Sequence, residues 1–188
     1  MELQWFDIRE LTEDAAGAVM GMMDETRRRR VADIAGEDDR KRTIAGELLA
    51  RRMLAQSLGC AEKDVPLQWD ELGKPSVEKD GVYVSVSHSG PWAVCVTADA
   101  PVGVDVEVVR SAQEKFMRRV CSEQEMAYIR PGDDGDCQRE IWTAKEALFK
   151  LTGKGPLLAL SRFSLPAGVT LDYTAQKGCA LTIAAQIL

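Results

Sequence analysis

Two carboxylates lie in an otherwise apolar, β-branched segment, Gly103-Val104-Asp105-Val106-Glu107. Residues two apart on a strand point to the same face, so Asp105 and Glu107 are expected to project together. Adjacent carboxylates are unfavourable in apolar surroundings unless a cation neutralises them, and hard oxygen ligands suit Mg²⁺. The pattern therefore indicates either a divalent-metal site or an edge strand with one solvated face.

A second candidate segment, Trp142 to Lys150, reads WTAKEALFK and has helical periodicity. Spacing by four places Trp142, Glu146 and Lys150 on one helix face. Glu146 and Lys150 then form either an ordinary surface ion pair or the third carboxylate and an ammonium of a phosphate–metal site. The predicted core stripe of this helix comprises Ile141, Ala144, Leu148 and Leu151.

The single histidine lies in Val86-Ser87-His88-Ser89-Gly90, after a predicted strand and before a Gly-Pro turn. An imidazole next to two hydroxyls and a turn can contact an anion, although a structural hydrogen bond is the alternative. Neither serine lies in a G-x-S-x-G motif, so no serine nucleophile is predicted. One histidine also excludes zinc sites that need two.

The charge of the chain is −6 overall, from 24 basic and 30 acidic residues, but it is unevenly distributed. The stretch Arg27 to Arg52 holds nine basic and five acidic residues, a net charge of +4. An acidic protein is a poor candidate for coating nucleic acid by bulk charge. The basic stretch indicates a local anion site or, alternatively, a solvated face. Gly73-Lys74-Pro75 adds a cation on a rigid turn.

The apolar fraction of 45% and the charged fraction of 29% are ordinary for a globular protein. Five cysteines without a C-x-x-C pair indicate reduced thiols rather than a disulfide framework or a zinc site. Neither a signal peptide nor a membrane-spanning apolar run is predicted, so we expect a cytoplasmic protein with no membrane partner.

The periodicities predict an α+β protein. Strands are expected at Glu2 to Ile8, at three runs that form an antiparallel meander (Val82 to Val86, Trp92 to Ala98 and Val102 to Val109), and weakly at Phe163 to Leu165 and Ala180 to Ile187. Helices are expected at Asp24 to Ile34, Asp38 to Leu58, Gln113 to Val120, after a capping box formed by Ser122 and Glu125, and at Glu140 to Leu151. Asp64 to Ser76 is predicted to be turn-rich, and Pro131 to Asp136 to be a loop. Two lobes, residues 1–98 and 102–188, are expected to meet near Ala98 to Val102.

The order of the basic segment, G-K-P, S-H-S-G, G-V-D-V-E and W-x-x-K-E-A-x-x-K resembles that of the 4′-phosphopantetheinyl transferases. The likeness is closer to the larger, two-lobed type that activates peptide and polyketide synthases. The central motifs run from Lys74 to Lys150, with Glu107 and Glu146 39 residues apart, and a looser likeness reaches back to Arg27. The resemblance implies two similar α+β lobes related by pseudo-twofold symmetry, with coenzyme A in the cleft between them.

The activity that the resemblance implies is transfer of the phosphopantetheine arm of coenzyme A to a serine of an apo carrier protein, with release of 3′,5′-adenosine bisphosphate. Asp105, Glu107 and Glu146 match metal ligands that hold Mg²⁺ against the pyrophosphate. Glu146 also matches the proposed general base, acting directly or through a water. Lys150 matches a lysine near the pyrophosphate. Lys145 lies inside the same motif but points elsewhere on the helix, so it ranks below Lys150 as a candidate.

Contacts to coenzyme A are also implied by the resemblance. His88 matches a contact to the 3′-phosphate and Lys74 a contact to the nucleotide, while Ser87 and Ser89 can add hydrogen bonds. Basic residues of the family around that phosphate correspond to Arg27, Arg30 and Arg42.

The carrier protein is expected to dock on the helix from Gln113 to Val120, and the protein is expected to be a monomer that binds no nucleic acid. The docking surface would combine an apolar patch with basic side chains for an acidic partner helix. The alternative is that the apolar residues belong to the core. The patch comprises Phe116, Met117 and Val120, and the basic residues are Lys115, Arg118 and Arg119.

Two rival functions remain. One is a metal-dependent phosphodiester or nucleotide hydrolase, and the other is a non-catalytic coenzyme A-binding protein.

Overall fold

A computed structural model describes residues 1–108, 114–129, 135–153, 160–161 and 163–187, without the side chains of Glu114 and Lys115. By its internal contacts the chain divides into two compact units, Met1–Asp99 and Ala100–Leu188. Each unit contains a three-stranded antiparallel sheet and helices. The predicted α+β class is therefore confirmed.

The first unit contains five strands and three α-helices among its regular elements. The strands are β1 (Glu2–Asp7), β2 (Gln68–Trp69), β3 (Pro75–Ser76), β4 (Tyr83–Ser89) and β5 (Trp92–Ala98), and the helices are α1 (Glu13–Met22), α2 (Glu25–Ala32) and α3 (Glu37–Leu58). The sheet has the order β1-β5-β4 with antiparallel neighbours, and β2 and β3 form a separate small hairpin. Short 3₁₀ turns follow β1 and α3.

Helix α3 is the central helix of the first unit. Its apolar side chains, including the almost completely buried Leu49, Met53 and Leu54, pack against the sheet. Gly46 allows close packing, because a Cβ there would lie 2.8 Å from Cγ1 of Val86. Helix α3 thereby carries the basic residues of its first turns toward one end of the sheet.

The second unit contains three strands and three helices in the described residues. The elements are β6 (Val102–Val108), α4 (Glu114–Val120), α5 (Glu123–Tyr128), α6 (Asp136–Thr152), β7 (Val169–Gln176) and β8 (Cys179–Gln186). The sheet order is β6-β8-β7, with both pairs antiparallel. Helix α5 begins with the predicted capping box, in which Ser122 and Glu125 exchange hydrogen bonds.

The predicted three-stranded meander is wrong in its last strand. Strands β4 and β5 pair as expected, but β6 pairs with β8 in the second unit. An apolar, β-branched run predicts a strand without specifying its neighbour, because pairing depends on residues distant in sequence. Here the carbonyl of Pro101 accepts a hydrogen bond from Gln186, which extends the β6–β8 pairing beyond the strand ends.

Other boundaries also differ from the predictions. Helix α1 and strand β7 were not predicted; α1 begins after Thr12, whose hydroxyl accepts a hydrogen bond from the amide of Ala15. Helix α6 begins at Asp136 rather than Glu140, and residues 163–165 contribute only an isolated bridge between Ser161 and Ser164. Gln113, Val109 and residues 131–134 lie outside the described residues.

No helix in the described ranges has the length and hydropathy to cross a bilayer.

Candidate functional site

Helix α6 lies directly on β6 because Gly103 has no side chain. A Cβ at this position would come within 2.1 Å of the carbonyl oxygen of Ala147 and 2.5 Å of the backbone nitrogen of Leu151. Both atoms belong to the helix backbone and have no rotamer through which to move away. The alternation of a strand places Asp105 and Glu107 on the same face as Gly103. This close approach therefore brings the two carboxylates under the helix.

Asp105 forms an ion pair with the last turn of the helix. Nζ of Lys150 lies 2.8 Å from Oδ1 of Asp105, and the Asp105 side chain is only 7% exposed. Strand β6 does lie at an edge of its sheet among the described strands. The interpretation of a solvated strand face is nevertheless wrong for Asp105, because that face is covered by α6.

Glu107 is held by an aromatic side chain from the same helix. Nε1 of Trp142 donates a hydrogen bond to Oε1 of Glu107 over 3.3 Å. The indole also packs edge-to-face against Phe116, with ring centroids 5.0 Å apart. A chain of contacts thus leads from Phe116 on α4 through the indole to the carboxylate.

Glu146 faces both carboxylates of β6. Burial and the negative charge of Asp105 raise the pKa of Glu146, while Lys150 lowers it and Glu107 raises it further. These effects require the four groups to lie close enough to interact. The prediction that Trp142, Glu146 and Lys150 share a helix face is therefore confirmed, and the core stripe of Ile141, Ala144, Leu148 and Leu151 is buried as predicted.

The three carboxylates of Asp105, Glu107 and Glu146 are chemically suited to bind a hard divalent cation, although the described side chains do not form a complete coordination site. Nowhere in the described ranges do three or more His, Cys, Asp or Glu side chains form a group that could hold a metal as they stand. Yet Asp105, Glu107 and Glu146 supply only oxygen donors, which Mg²⁺ prefers. A cation between them would relieve the repulsion that raises the pKa of Glu146. The magnesium site thus stays a prediction.

In the first unit, Arg27 and Arg30 line an open cavity of about 530 Å³ together with residues of the β2–β3 hairpin, among them Trp69 and Asp70. The guanidinium carbon of Arg27 lies 3.9 Å from the Trp69 ring centroid. Its Nε lies 3.5 Å from Oε2 of the fully buried Glu47. Burial lowers the pKa of Arg27 despite this carboxylate. Arg27 is thus held in place at the cavity wall, whereas Arg30 is exposed.

Lys74 lies on the same hairpin. Its backbone amide donates a hydrogen bond to Oδ1 of Asp70 over 2.8 Å, and Gly73 adopts a left-handed conformation with φ of 80°. Partial burial lowers the pKa of the Lys74 ammonium. The backbone of Lys74 is thus hydrogen-bonded to Asp70, a residue that also lines the cavity.

Arg42 contacts the turn between β4 and β5, and His88 lies in β4 shortly before that turn. Nη1 of Arg42 donates a hydrogen bond to the carbonyl of Gly90 over 2.8 Å, and Arg42 also pairs with Asp39. The guanidinium of Arg42 is the main cause of the lowered pKa of Asp39, and the charge of His88 contributes. Asp39 therefore lies within electrostatic reach of both Arg42 and His88.

The serines that flank the histidine are placed differently from the prediction. Residues 87–89 belong to strand β4 instead of following it. Ser87 is 5% exposed, whereas His88 points to the opposite face and is exposed. An anion bound at His88 would therefore not be reached directly from the face that carries Ser87.

The predicted docking helix is partly core. Met117 is completely buried, so its assignment to a docking patch is wrong; it packs with Cys121 and Ile141. Phe116, in contrast, is 42% exposed. Val120 is half-buried against the same core cluster, and Arg118 and Arg119 are exposed.

Gly103 and Trp142 lie within the predicted motifs, but no role was predicted for either residue. Both have a local signal: a glycine two residues before the first carboxylate and an aromatic residue four before Glu146. Their partners across the β6–α6 contact were not visible in the sequence.

Comparison with known families gives two matches that follow the division of the chain. Residues 101–182 match the 4′-phosphopantetheinyl transferase superfamily, and residues 11–100 match the N-terminal 4′-phosphopantetheinyl transferase family. Together the two models cover residues 11–182.

Individual curated proteins are similar over most of the chain. The 4′-phosphopantetheinyl transferase gsp of Aneurinibacillus migulanus is 31% identical over 128 residues, which are 66% of this chain and 54% of the relative. The 4′-phosphopantetheinyl transferase Sfp of Bacillus subtilis strain 168 is 26% identical over 161 residues, 84% of this chain and 72% of the relative. The 4′-phosphopantetheinyl transferase HetI of a Nostoc species is 30% identical over 128 residues, 63% of this chain and 54% of the relative. The matched part of the chain thus spans from about half to nearly three quarters of these proteins.

Proposed function

The chain belongs to the 4′-phosphopantetheinyl transferase superfamily, and on that premise we propose that it transfers the 4′-phosphopantetheine arm of coenzyme A to a serine of an apo carrier protein. The observation that carries the proposal is the contact of α6 with β6 at Gly103. That contact supports a shared site for Asp105, Glu107, Glu146 and Lys150.

The reaction is a phosphoryl-type displacement. The serine hydroxyl oxygen forms a bond to the phosphorus that carries the pantetheine arm, and the bond from that phosphorus to the bridging oxygen breaks. The departing group is 3′,5′-adenosine bisphosphate, which keeps the electron pair. Such a reaction needs in-line placement and charge stabilisation more than covalent catalysis.

Glu146 is the proposed acceptor of the serine proton. Partial burial raises its pKa, which makes it a stronger base than an exposed glutamate. Lys150 is proposed to stabilise the negative charge that develops on the departing phosphate. Its ammonium is already held in the site by Asp105.

Asp105, Glu107 and Glu146 are the residues proposed to hold Mg²⁺. The ion would neutralise the pyrophosphate charge when bound. Trp142 supports this assignment, because its N–H donates a hydrogen bond to Oε1 of Glu107 and so orients that carboxylate. Residues that orient metal ligands commonly matter for metal affinity.

Coenzyme A is proposed to contact the first unit through its nucleotide phosphates. Arg30 at the open cavity, Lys74 beside it, and the Arg42–His88 group are the proposed contacts. In support, Arg30 lines the cavity, the backbone of Lys74 is hydrogen-bonded to the cavity residue Asp70, and Asp39 lies within electrostatic reach of both Arg42 and His88. Arg27 is proposed to add charge from the cavity wall.

The carrier protein is proposed to dock against α4. The exposed ring of Phe116 and the exposed guanidinium groups of Arg118 and Arg119 offer one apolar and two basic contacts to an acidic helix.

All five cysteines are free thiols, which supports the proposal of a reducing, cytoplasmic location.

The deciding experiment incubates the protein with coenzyme A, Mg²⁺ and a panel of apo carriers from fatty-acid, polyketide and peptide synthases. We expect a mass gain of one phosphopantetheine arm on at least one carrier, lost when the carrier serine is replaced by alanine. Cleavage of coenzyme A without labelling of any carrier would instead support a hydrolase that uses the same carboxylates. Binding of coenzyme A with neither reaction would support a non-catalytic function.

A further inference from the structure

Lys145 is completely buried, although it directly precedes the proposed base. Its Nζ lies 2.9 Å from Oε2 of Glu125, and neither side chain has any exposed surface. The ammonium also donates a hydrogen bond to the carbonyl of Leu160. Lys145 therefore directs its charge into the interior of the second unit rather than toward a ligand.

Glu125 also belongs to the capping box of helix α5. Its Oε2 accepts a hydrogen bond from the backbone amide of Ser122 over 2.8 Å, and its own amide donates to the Ser122 hydroxyl over 3.2 Å. The same oxygen thus contacts both the beginning of α5 and the ammonium of Lys145. This single carboxylate joins helix α5 to the middle of helix α6.

The pair is poorly explained by stability alone. A buried ion pair contributes little net stability compared with apolar side chains of similar volume, because both charges must leave water. Within the described residues, Oε1 of Glu125 is buried and accepts no hydrogen bond. One carboxylate oxygen that contacts both helices points to another benefit, which is to fix the orientation of one helix against the other.

The geometry of an α-helix supplies that benefit. Successive residues are about 100° apart around the axis, since a turn contains about 3.6 residues. With Lys145 anchored toward α5, the following residue, Glu146, is directed to the side that faces β6. Gly103 sets how closely α6 approaches β6, while the ion pair restricts rotation of α6 about its own axis.

We propose that Lys145 is a positioning residue, whose buried pair with Glu125 sets the rotation of α6 and thereby places Glu146 and Lys150 for the transfer reaction. The inference rests on the proposed function. It differs from the simpler interpretation that a lysine inside the W-x-x-K-E-A-x-x-K motif contacts a phosphate of coenzyme A.

Glu125→Gln separates these two interpretations, because Glu125 has no exposed surface with which to contact a ligand. Glutamine keeps a carbonyl acceptor for the capping box and removes only the charge opposite Lys145. A positioning role predicts that kcat for carrier labelling falls at least about 10-fold, within the range usual for lost supporting contacts. The KM for coenzyme A should change less than about 2-fold, since that substrate's contacts remain. The matched control is Glu123→Gln on the same helix, which removes an exposed carboxylate and should leave kcat unchanged.

A second variant distinguishes positioning from a merely structural role. Glu125→Gln combined with Lys145→Met contains no unpaired buried charge, so its melting temperature should recover relative to Lys145→Met alone. Positioning predicts that kcat stays reduced despite this recovery, because a flexible methionine does not fix the helix rotation. A role in stability alone predicts that kcat recovers together with the melting temperature, and this result would overturn the inference.

Three further results have a defined meaning. If kcat is unchanged in Glu125→Gln and the KM for coenzyme A is raised in Lys145→Met, Lys145 would be assigned to phosphate binding and the inference would be rejected. Reduced kcat in both single variants, with coenzyme A affinity retained by calorimetry, supports it. A wild-type protein that labels no carrier would reject the proposed function itself, and with it this inference.

Discussion

The ammonium of Lys150 lies 2.8 Å from Oδ1 of Asp105 and joins the last turn of α6 to the middle of β6. Asp105 is almost fully buried, so its negative charge requires a nearby cation. The lysine supplies this cation in the structure, and a divalent metal ion is proposed to share the carboxylate during the reaction. The stability of the second unit should therefore depend on the cations at this position.

Replacing Lys150 with methionine should destabilise the metal-free protein by about 1–3 kcal/mol, since the buried carboxylate of Asp105 loses its ion pair with the Lys150 ammonium. Added Mg²⁺ should restore part of this loss if the ion binds the same carboxylate. Chemical denaturation with and without Mg²⁺ measures both effects, with Lys79→Met, at an exposed lysine, as the control. Equal stability of Lys150→Met and wild type would show that the ion pair contributes nothing.

Gly103→Ala should displace α6 from β6. The added Cβ meets backbone atoms at 2.1 and 2.5 Å, and overpacking of this kind costs about 1–3 kcal/mol or more. We expect a lower melting temperature and a loss of transfer activity that remains when the assay is run well below that temperature. Gly21→Ala in α1 is the control: nothing lies within 4 Å of its Cβ, so it should be neutral or slightly stabilising. Full activity of Gly103→Ala would contradict the importance of the close approach.

Trp142→Phe should weaken metal binding without unfolding the protein. Phenylalanine can keep the contact with Phe116 but lacks the N–H that holds Glu107. Loss of such a supporting hydrogen bond typically lowers metal affinity about 10- to 100-fold. Titration of the protein with Mn²⁺ alone measures the effect, with Trp5→Phe in the first unit as the control. Unchanged Mn²⁺ affinity in Trp142→Phe would remove this role of the indole.

Glu146→Gln should stabilise the metal-free protein at neutral pH while abolishing transfer. The pKa of Glu146 is raised above its usual value of 4.5, so the folded state binds this proton more tightly than the unfolded state. The Glu146 contribution to stability is therefore lost as pH rises from about the unfolded pKa through the raised folded value. The melting temperature of Glu146→Gln should exceed that of wild type by an amount that grows as the pH rises above the usual glutamate pKa of 4.5. Parallel curves for the two proteins over this range would count against the electrostatic origin of the shift.

Arg30→Ala should weaken coenzyme A binding while leaving the fold intact. Arg30 is exposed at the cavity, and loss of a charge-assisted contact to phosphate costs about 1.5–3 kcal/mol, or roughly 10- to 100-fold in Kd. Arg29→Ala is the matched control, because Arg29 is 76% exposed and pairs only weakly with Glu25 on the same helix. Calorimetric titration with coenzyme A compares them. Equal weakening by both variants would indicate a general charge effect rather than a site at the cavity.

Local patterns predicted the segments whose structure is determined by nearby residues. The long helix α3 ends at Gly59 because that residue adopts a left-handed conformation, and α6 ends at Gly153 for the same reason. The capping box of α5 needs only a serine and a glutamate three residues apart. Helical spacing likewise indicated which side of α6 is apolar and which side carries Glu146.

The family resemblance, the α+β class and the shared face of Asp105 and Glu107 could all be predicted, because they follow from residue types and short spacings. Four features became known from the three-dimensional contacts alone: β6 pairs with β8, Met117 belongs to the core, Ser87 and His88 lie on opposite faces, and Lys145 is buried against Glu125. These features depend on contacts between residues far apart in the chain, and a periodic pattern contains no information about which distant element will cover it.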